Sequence, residues 1–342
     1  MNQYAHLKDM APLLVQVELT EACNLKCRFC YNSQNPRFNK NALEMLERLA
    51  DYGVMQVTLT GGEPLLHPDF FDILAKATEL FPNVMILSNG TLMDEKTVAH
   101  IHEYNVLSVS ISVHGDKDMH EFLTGVPGSY DRSIGALREF LRRDRIPVAS
   151  NFVLNAANMG QLSSTIGRLG DIGLDFMTIT RFIPVGIGKG ARELSLSQNE
   201  LIQSLRVIHE HLRLNIPPHI EVAEATPFCA VPSELRYLAN TCSYGYDRFY
   251  LDVDGNLMVC GLSRIPLGGN ILHSSLTEIK SSSDVFQCFL KDNHVPEQCS
   301  ICNLFDECHG GCRAAAMING EWRGTCDYLM SRNIDNHKEW RK

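Results

Sequence analysis

Three cysteines spaced Cys23-x3-Cys27-x2-Cys30 put three thiolates on one short loop. So placed, they can face a single cube of iron and sulfide. A [4Fe–4S] cube normally takes four thiolates. With three, one iron keeps an open coordination position, and an open position is a reaction site by the logic that separates catalytic from structural zinc. A zinc loop would need a fourth ligand nearby, and His6 is too loosely placed to supply it. Of the twelve cysteines, these three lie within 23–30, nine lie within 229–326, and none lies in 31–228. A reducing compartment disfavours disulfides, so clustered cysteines point to metal or redox chemistry, here in two separate regions.

The second region reads Cys299-x2-Cys302-x5-Cys308-x3-Cys312, followed by Cys326. Cys242 and Gly255-x4-Cys260 stand upstream. Asp254-Gly255 suits the turn of a hairpin whose second strand delivers Cys260. Residue types alone leave two outcomes open, a pair of four-cysteine zinc sites or iron–sulfur clusters. Cys288, among Val285, Phe286 and Phe289, reads as a buried free thiol.

These loops need elements to hold them. Apolar runs predict strands over 13–19, 54–59, 84–87, 106–113, 147–154 and 174–180, and helical spacing predicts helices over 41–52, 70–80, 94–104, 129–143 and 159–169. Such alternation implies a parallel sheet with right-handed crossovers. The expected fold is α/β, a partial (β/α)6 TIM-like barrel with a small cysteine-rich C-terminal domain. The first cysteine loop, Gly61-Gly62-Glu63-Pro64, Ser88-Asn89-Gly90 and Ser112 then follow four successive strand ends, where barrels and open α/β folds place their chemistry. After Arg181 the pattern changes. Residues 184–190 read as a glycine-rich linker. Ser197 and Glu200 make a capping box for a helix to about Leu214, which Pro217-Pro218 stops. The expected organisation is an N-terminal segment (1–12), the barrel (13–181), a linker and helix (182–228), a cluster-binding domain (229–330) and a tail (331–342).

A hydrophobic fraction of 44% and a charged fraction of 21% are ordinary for a soluble globular chain. No apolar run approaches the roughly 18 residues of a membrane span. Met1 to Met10 is polar and unlike a signal peptide, so the expected location is cytoplasmic. The net charge of −9 argues against a nucleic-acid partner. Arg138, Arg142, Arg143 and Arg145 read as the solvated face of a helix.

The first cysteine loop, with Tyr31 behind its last cysteine, resembles the signature loop of the radical S-adenosylmethionine (SAM) superfamily. Gly61-Gly62-Glu63-Pro64 resembles that superfamily's GGEP motif. The second cysteine region, about 229 to 330, resembles its SPASM extension. The resemblance implies a [4Fe–4S] cluster on Cys23, Cys27 and Cys30, with SAM on the open iron. It implies that Gly61, Gly62, Glu63 and Pro64 hold the SAM amino group, and that Asn89 and Ser112 make polar contacts to it. It implies two auxiliary iron–sulfur clusters, the outer on Cys299, Cys302, Cys308 and Cys326, the inner on Cys242, Cys260 and Cys312. Cys229, 13 residues before Cys242, is the candidate fourth inner ligand, with a position open to substrate as the alternative.

There are departures. Ser112-Val113-His114-Gly115 stands where many relatives read Ser-x-Asp-Gly, and Thr124 stands where relatives often carry an arginine. Arg181 is the candidate partner of the SAM carboxylate instead. Asp247 is the candidate catalytic base. The implied activity is SAM cleavage to a 5′-deoxyadenosyl radical and hydrogen abstraction, oxidising or crosslinking a peptide side chain. Leu123 to Ser129 looks like a segment of such peptide maturases. The alternatives are dehydrogenation or epimerisation of a small molecule such as an aminosugar, with Cys229 or Cys288 as hydrogen donor, tetrapyrrole modification, or a non-catalytic iron–sulfur electron carrier. Expected partners are a one-electron donor such as flavodoxin or ferredoxin and a separate leader-peptide-binding protein, since about a dozen residues before the first strand are too few for a fused one.

Overall fold

Val15, Val17 and Leu19 of β1 (Leu14–Thr20) are fully buried against the surrounding helices. Side chains alternate along a strand, so Gln16, Glu18 and Thr20 face the other way, into the concave side of the sheet. The computed structural model describes residues 10–330. His6 and the rest of the first nine residues, like the expected tail 331–342, lie outside the described residues.

The strands after β1 are β2 (Gln56–Gly61), β3 (Asn83–Ser88), β4 (Ser108–Ser112), β5 (Val148–Leu154), β6 (Phe176–Arg181), β7 (His219–Val222), β8 (Arg248–Leu251), β9 (Asn256–Met258) and β10 (Pro266–Asn270). The helices between them are α1 (Ala42–Asp51), α2 (Phe70–Leu80), α3 (Glu95–Ile101), α4 (Lys117–Thr124), α5 (Ser129–Arg143), α6 (Leu162–Asp171) and α7 (Gln198–Leu214). β1 to β7 run parallel in sequence order, as the alternation predicts.

Two features depart from the six-unit expectation. β7 adds a seventh parallel strand at one edge. β8 pairs parallel with β1 at the other, and β9 and β10 continue antiparallel, so the cysteine-rich region extends the barrel sheet. Strands of four, three and five residues carry too little periodicity to announce such pairing.

The 184–190 segment is no free linker either. Ile183 and Val185 are buried, and the backbone N–H of Gly188 donates to the carbonyl of Cys30. α7 begins with the expected capping box of Ser197 and Glu200. Arg142 and Arg143 at the end of α5 share Glu139, with Arg142 exposed and the other two half-buried. Among the described residues no helix is long and apolar enough to cross a membrane.

The sequence pattern missed α4, a short helix capped by Asp116, whose carboxylate accepts from the Met119 N–H, and closed by Gly125 in the left-handed region. α4 buries His120 beside Tyr130 and His114. Burial holds the His120 imidazole down to about 4. The unfolded chain therefore binds the proton more readily than the folded one, and stability falls as pH drops below about 6.5. At pH 5 this one group costs about 2 kcal/mol. We expect thermal unfolding of His120→Asn to lose less between pH 7 and pH 5 than that of the wild type. Parallel pH profiles would assign the acid sensitivity elsewhere.

Candidate active site and cysteine clusters

Thr20 ends β1, and the chain turns directly into the loop of Cys23, Cys27 and Cys30. Gly61 and Gly62 end β2 against the base of this loop. A Cβ on Gly62 would lie 2.2 Å from the Ala22 carbonyl oxygen, and one on Gly61 2.3 Å from that of Thr20. Only glycine permits this approach. It lets the Gly62 N–H donate to Thr20 O (2.6 Å) and the Glu63 N–H to Ala22 O (2.9 Å).

Glu63 is fully buried and ties the second strand end to the third. Its carboxylate accepts from Ser88 Oγ (2.8 Å), the Asn89 N–H (2.8 Å) and the Leu65 N–H (3.3 Å). Burial nevertheless raises this carboxyl to about 7. Asn89 continues the chain of contacts. Its amide Nδ2 donates to Asn24 Oδ1 (2.9 Å) and stands 3.8 Å from Cys23 Sγ. Pro64 begins the turn that Glu63 caps, and Ser112 ends β4 in line with these residues. The four strand ends named from sequence are thus assembled at one edge of the sheet.

The cysteine loop is clamped from two further sides. The Lys26 and Arg28 N–H groups donate to the carbonyls of Thr124 and Leu123. Gly125 makes room, since a Cβ there would lie 2.9 Å from Lys26 O. The position that departs from the family's arginine therefore supplies a backbone acceptor at the end of α4. Gly186 (φ +56°) packs on Tyr31 in the same way, where a Cβ would meet the Tyr31 carbonyl oxygen at 2.0 Å.

Within the loop, backbone N–H groups of Leu25 and Asn32 donate to the sulfurs of Cys23 and Cys30, both at 3.4 Å. Burial raises the Cys23 thiol to about 11, and the neighbouring Cys30 adds to the shift. Cys27 is pushed up by burial, then by Cys30 and Cys23. The three thiols therefore sense one another across a shared space.

Sequence reasoning did not single out the inner wall beside this loop. Glu18, fully buried on β1, receives both terminal nitrogens of Arg264 (2.7 and 3.2 Å) and Nδ2 of Asn32 (2.8 Å). Arg264 belongs to the turn that also carries Cys260, whose sulfur accepts from the Ser263 N–H (3.3 Å). The pair joins the two cysteine regions through the concave side of the sheet. Nothing in the spacing signals it, because the partners are 246 residues apart.

In the C-terminal region, burial and then Cys260 raise the Cys242 thiol to about 12. Cys312 is raised by burial, with Cys242 and Cys260 among its charged neighbours. These three cysteines lie near one another. Glu224 stands beside it, raising both Cys242 and Cys260, and its own carboxyl is lifted by burial to about 7. Cys229 does not join them. It lines an apolar pocket with Cys299, Cys302 and Cys308. The reason is the path of the chain. After β7 the Phe228–Ala230 turn packs on Cys308, whose sulfur accepts from the Phe228 N–H (3.3 Å). Cys326, expected in the outer set, is not among the residues lining that pocket. Cys288 is buried, as its apolar setting predicts, and Arg323 stands beside its sulfur.

Two further expectations change. Asp247 sits at the start of β8, where its carbonyl accepts from the N–H groups of Leu13 and Leu14. The first cysteine loop leaves the far end of β1, about 20 Å away at strand rise. Strand register thus removes Asp247 from the mouth of that loop, where a base would be needed. Arg181 is buried, and its terminal nitrogens bond Asp327 (2.9 and 3.3 Å) and the Ala225 carbonyl (3.0 Å). This guanidinium is buried and its charge is met by a carboxylate of the chain itself, which sets it apart from the role expected of it toward the carboxylate of SAM.

Residues 17–155 match the family model of the radical SAM superfamily, and residues 242–303 match SPASM, an iron–sulfur cluster-binding domain. The chain belongs to the radical SAM superfamily. It is 29% identical to the sporulation killing factor maturation protein SkfB of Bacillus subtilis, over 82% of this chain and 68% of that protein. It is 26% identical to an AdoMet-dependent heme synthase of Methanosarcina barkeri, over 93% of this chain and 95% of that protein. In structure it is similar to SuiB of Streptococcus suis, crystallised with the precursor peptide SuiA, at a TM-score of 0.75 and 18% identity over 93% of this chain and 75% of that one.

The radical SAM family match makes the protein an enzyme that uses a [4Fe–4S] cluster with SAM, and the SPASM match adds auxiliary iron–sulfur clusters. The residues present fit such groups. The first loop offers three mutually aware thiols, two of them already receiving backbone N–H donors, as a cluster's thiolates require. Among the described residues no three His, Cys, Asp or Glu side chains close round a single metal ion.

Proposed function

We propose that this radical SAM enzyme oxidises or crosslinks a side chain of a peptide substrate. In this reading Cys23, Cys27 and Cys30 hold the [4Fe–4S] cluster. Gly61, Gly62, Glu63, Pro64, Asn89 and Ser112 form the SAM seat. When bound, cluster and SAM together supply a 5′-deoxyadenosyl radical that abstracts hydrogen from the substrate.

The chain's own residues do the positioning. Glu63 and Asn89 lock three strand ends into one edge, and the glycines let backbone N–H groups come close. The observation that carries the oxidative reading is the Arg264–Glu18 bridge. It sets the turn of Cys260 against the strand that feeds Cys23. An electron leaving an oxidised substrate then has a short way to Cys242, Cys260 and Cys312, which hold the inner of two auxiliary clusters. With Asp247 remote, Glu224 is the carboxylate best placed beside those thiols to take a proton. The peptide class rests on the likeness to SkfB, whose name records maturation, and to SuiB, which binds a precursor peptide. A flavodoxin or ferredoxin would supply the initiating electron, a separate protein would present the leader, and the cytoplasm would keep the thiols reduced.

A second reading, tetrapyrrole modification, is favoured by the heme synthase relative, which matches nearly end to end. The test is anaerobic turnover with SAM and reductant, offering short peptides encoded beside the gene and, separately, iron-free and iron-bound porphyrin precursors. The expected result is 5′-deoxyadenosine formed in step with a peptide that loses a hydrogen pair. Turnover of the porphyrin alone would replace the peptide reading with the second one.

A further inference from the structure

Four of the C-terminal cysteines line one apolar pocket, and they are not the four that the family resemblance groups together. Cys299, Cys302 and Cys308 come from one short stretch. The fourth wall is Cys229, on the turn that follows β7.

Local contacts bring that turn in. The Phe228 N–H donates to Cys308 Sγ at 3.3 Å. Gly311, with φ +73°, lies under Pro227, where a Cβ would stand 2.7 Å from the proline Cγ. Any larger residue at 311 would push the turn of Cys229 away from Cys308. Gly310, with φ +76°, lies on the other side, in ordinary contact range of Cys299 Sγ and close under Val295, where a Cβ would lie 3.0 Å from Cγ1. Two consecutive left-handed glycines thus follow Cys308, and the second lets the turn of Cys229 pack against it.

The electrostatics agree with this grouping. Burial raises the Cys229 thiol to about 12, with Cys308 and Cys302 as the next contributors. Cys299 is raised to about 12 by burial, with Cys308, Cys229 and Cys302 among its neighbours. Cys326 has a different setting. Its charged neighbours are Arg313 and Asp327, and its carbonyl accepts from Asn319 Nδ2. Arg313, buried beside it, donates to the carbonyls of Thr325 and His294 and holds that strand of chain where it is.

We propose that the outer auxiliary cluster is held by Cys229, Cys299, Cys302 and Cys308, and that Cys326 is a non-ligand thiol. A cube needs four thiolates, and this pocket provides four without Cys326. The assignment rests on the auxiliary clusters themselves and is independent of whether the substrate is a peptide. Peptide turnover can fail while the assignment stands.

The experiment is anaerobic reconstitution of the full chain as wild type, Cys229→Ala, Cys229→Ser, Cys326→Ala and Cys299→Ala. Iron and sulfide are counted, and Mössbauer spectra are recorded. With about twelve irons in the wild type, the Cys229 and Cys299 variants are expected to lose about four, while Cys326→Ala keeps the full complement. SAM binding and far-UV circular dichroism report whether each variant is folded. A second measurement needs no variant. In the intact, loaded wild type, alkylation followed by peptide mapping is expected to label Cys326 and spare Cys229. Loss of the outer cluster in Cys326→Ala, whether or not Cys229 is also needed, would overturn the proposal. So would full loading of Cys229→Ala, or labelling of Cys229 with protection of Cys326.

Discussion

Cys23→Ala/Cys27→Ala/Cys30→Ala is expected to form no 5′-deoxyadenosine under strong reductant and to lose about four of roughly twelve irons. Alanine removes the N–H contacts to the Cys23 and Cys30 sulfurs, but the backbone contacts that hold the loop in place remain. Its Lys26 and Arg28 N–H groups donate to the Thr124 and Leu123 carbonyls, its base accepts from the Gly62 and Glu63 N–H groups, and the Cys30 carbonyl accepts from the Gly188 N–H. The barrel should therefore fold and the C-terminal thiols should still load. A variant that keeps about eight irons and cleaves no SAM separates the site of cleavage from the auxiliary clusters. Retention of all the iron would place the first cluster elsewhere and dismantle the site described above. A single Asn89→Ala is the milder companion, because it removes the amide nearest Cys23 and leaves all three thiols.

Asp327→Asn is expected to destabilise the protein by about 3–5 kcal/mol and to strip iron from the C-terminal region. Arg181 and Asp327 form a buried pair, with side chains 2% and 0% exposed and a closest approach of 2.9 Å. Burial opposes the charge on Arg181, but Asp327, Tyr328 and Cys312 outweigh it and leave the guanidinium more firmly protonated than usual. Breaking such a pair from one side leaves a charge in a dry site, which is where the cost arises. Asp327 Oδ2 also accepts from the Cys312 N–H (3.2 Å), so the carboxylate positions a thiol of the inner set. The measurement is the melting temperature together with iron and sulfide content. The double variant Arg181→Met/Asp327→Leu should recover much of the stability, since it removes both charges. It should not recover the inner cluster fully, because the Cys312 N–H still lacks its acceptor. A destabilisation below about 1 kcal/mol would mean that water reaches the pair and that the brace is ornamental.

The parts of the site that were legible in the sequence are those the chain assembles locally. Cys23, Cys27 and Cys30 fall within a span that cannot stretch far, so their convergence follows from spacing. Gly61 and Gly62 mark a close approach because no other residue tolerates one. The alternation of strand and helix foretold the parallel sheet, and with it the edge where Glu63, Asn89 and Ser112 gather. α4 escaped notice because eight residues give a weak helical period. β8 to β10 escaped notice because strands so short draw their stability from partners rather than from their own pattern.

By itself the sequence determined the family, the α/β frame, the first cysteine set and the existence of a second cysteine region. Tertiary structure alone decided which distant groups meet. Arg181 and Asp327 are 146 residues apart, and Phe228 and Cys308 are 80 apart. Both meetings depend on where the chain after β6 and β7 is laid against the last cysteine stretch. Asp247 was a matter of register, since pairing beside Leu13 and Leu14 sends it to the edge away from the first loop. Spacing reports only the reach of a short loop. Register, sheet order and buried charge pairing arise from packing across the whole chain, and no local pattern encodes them.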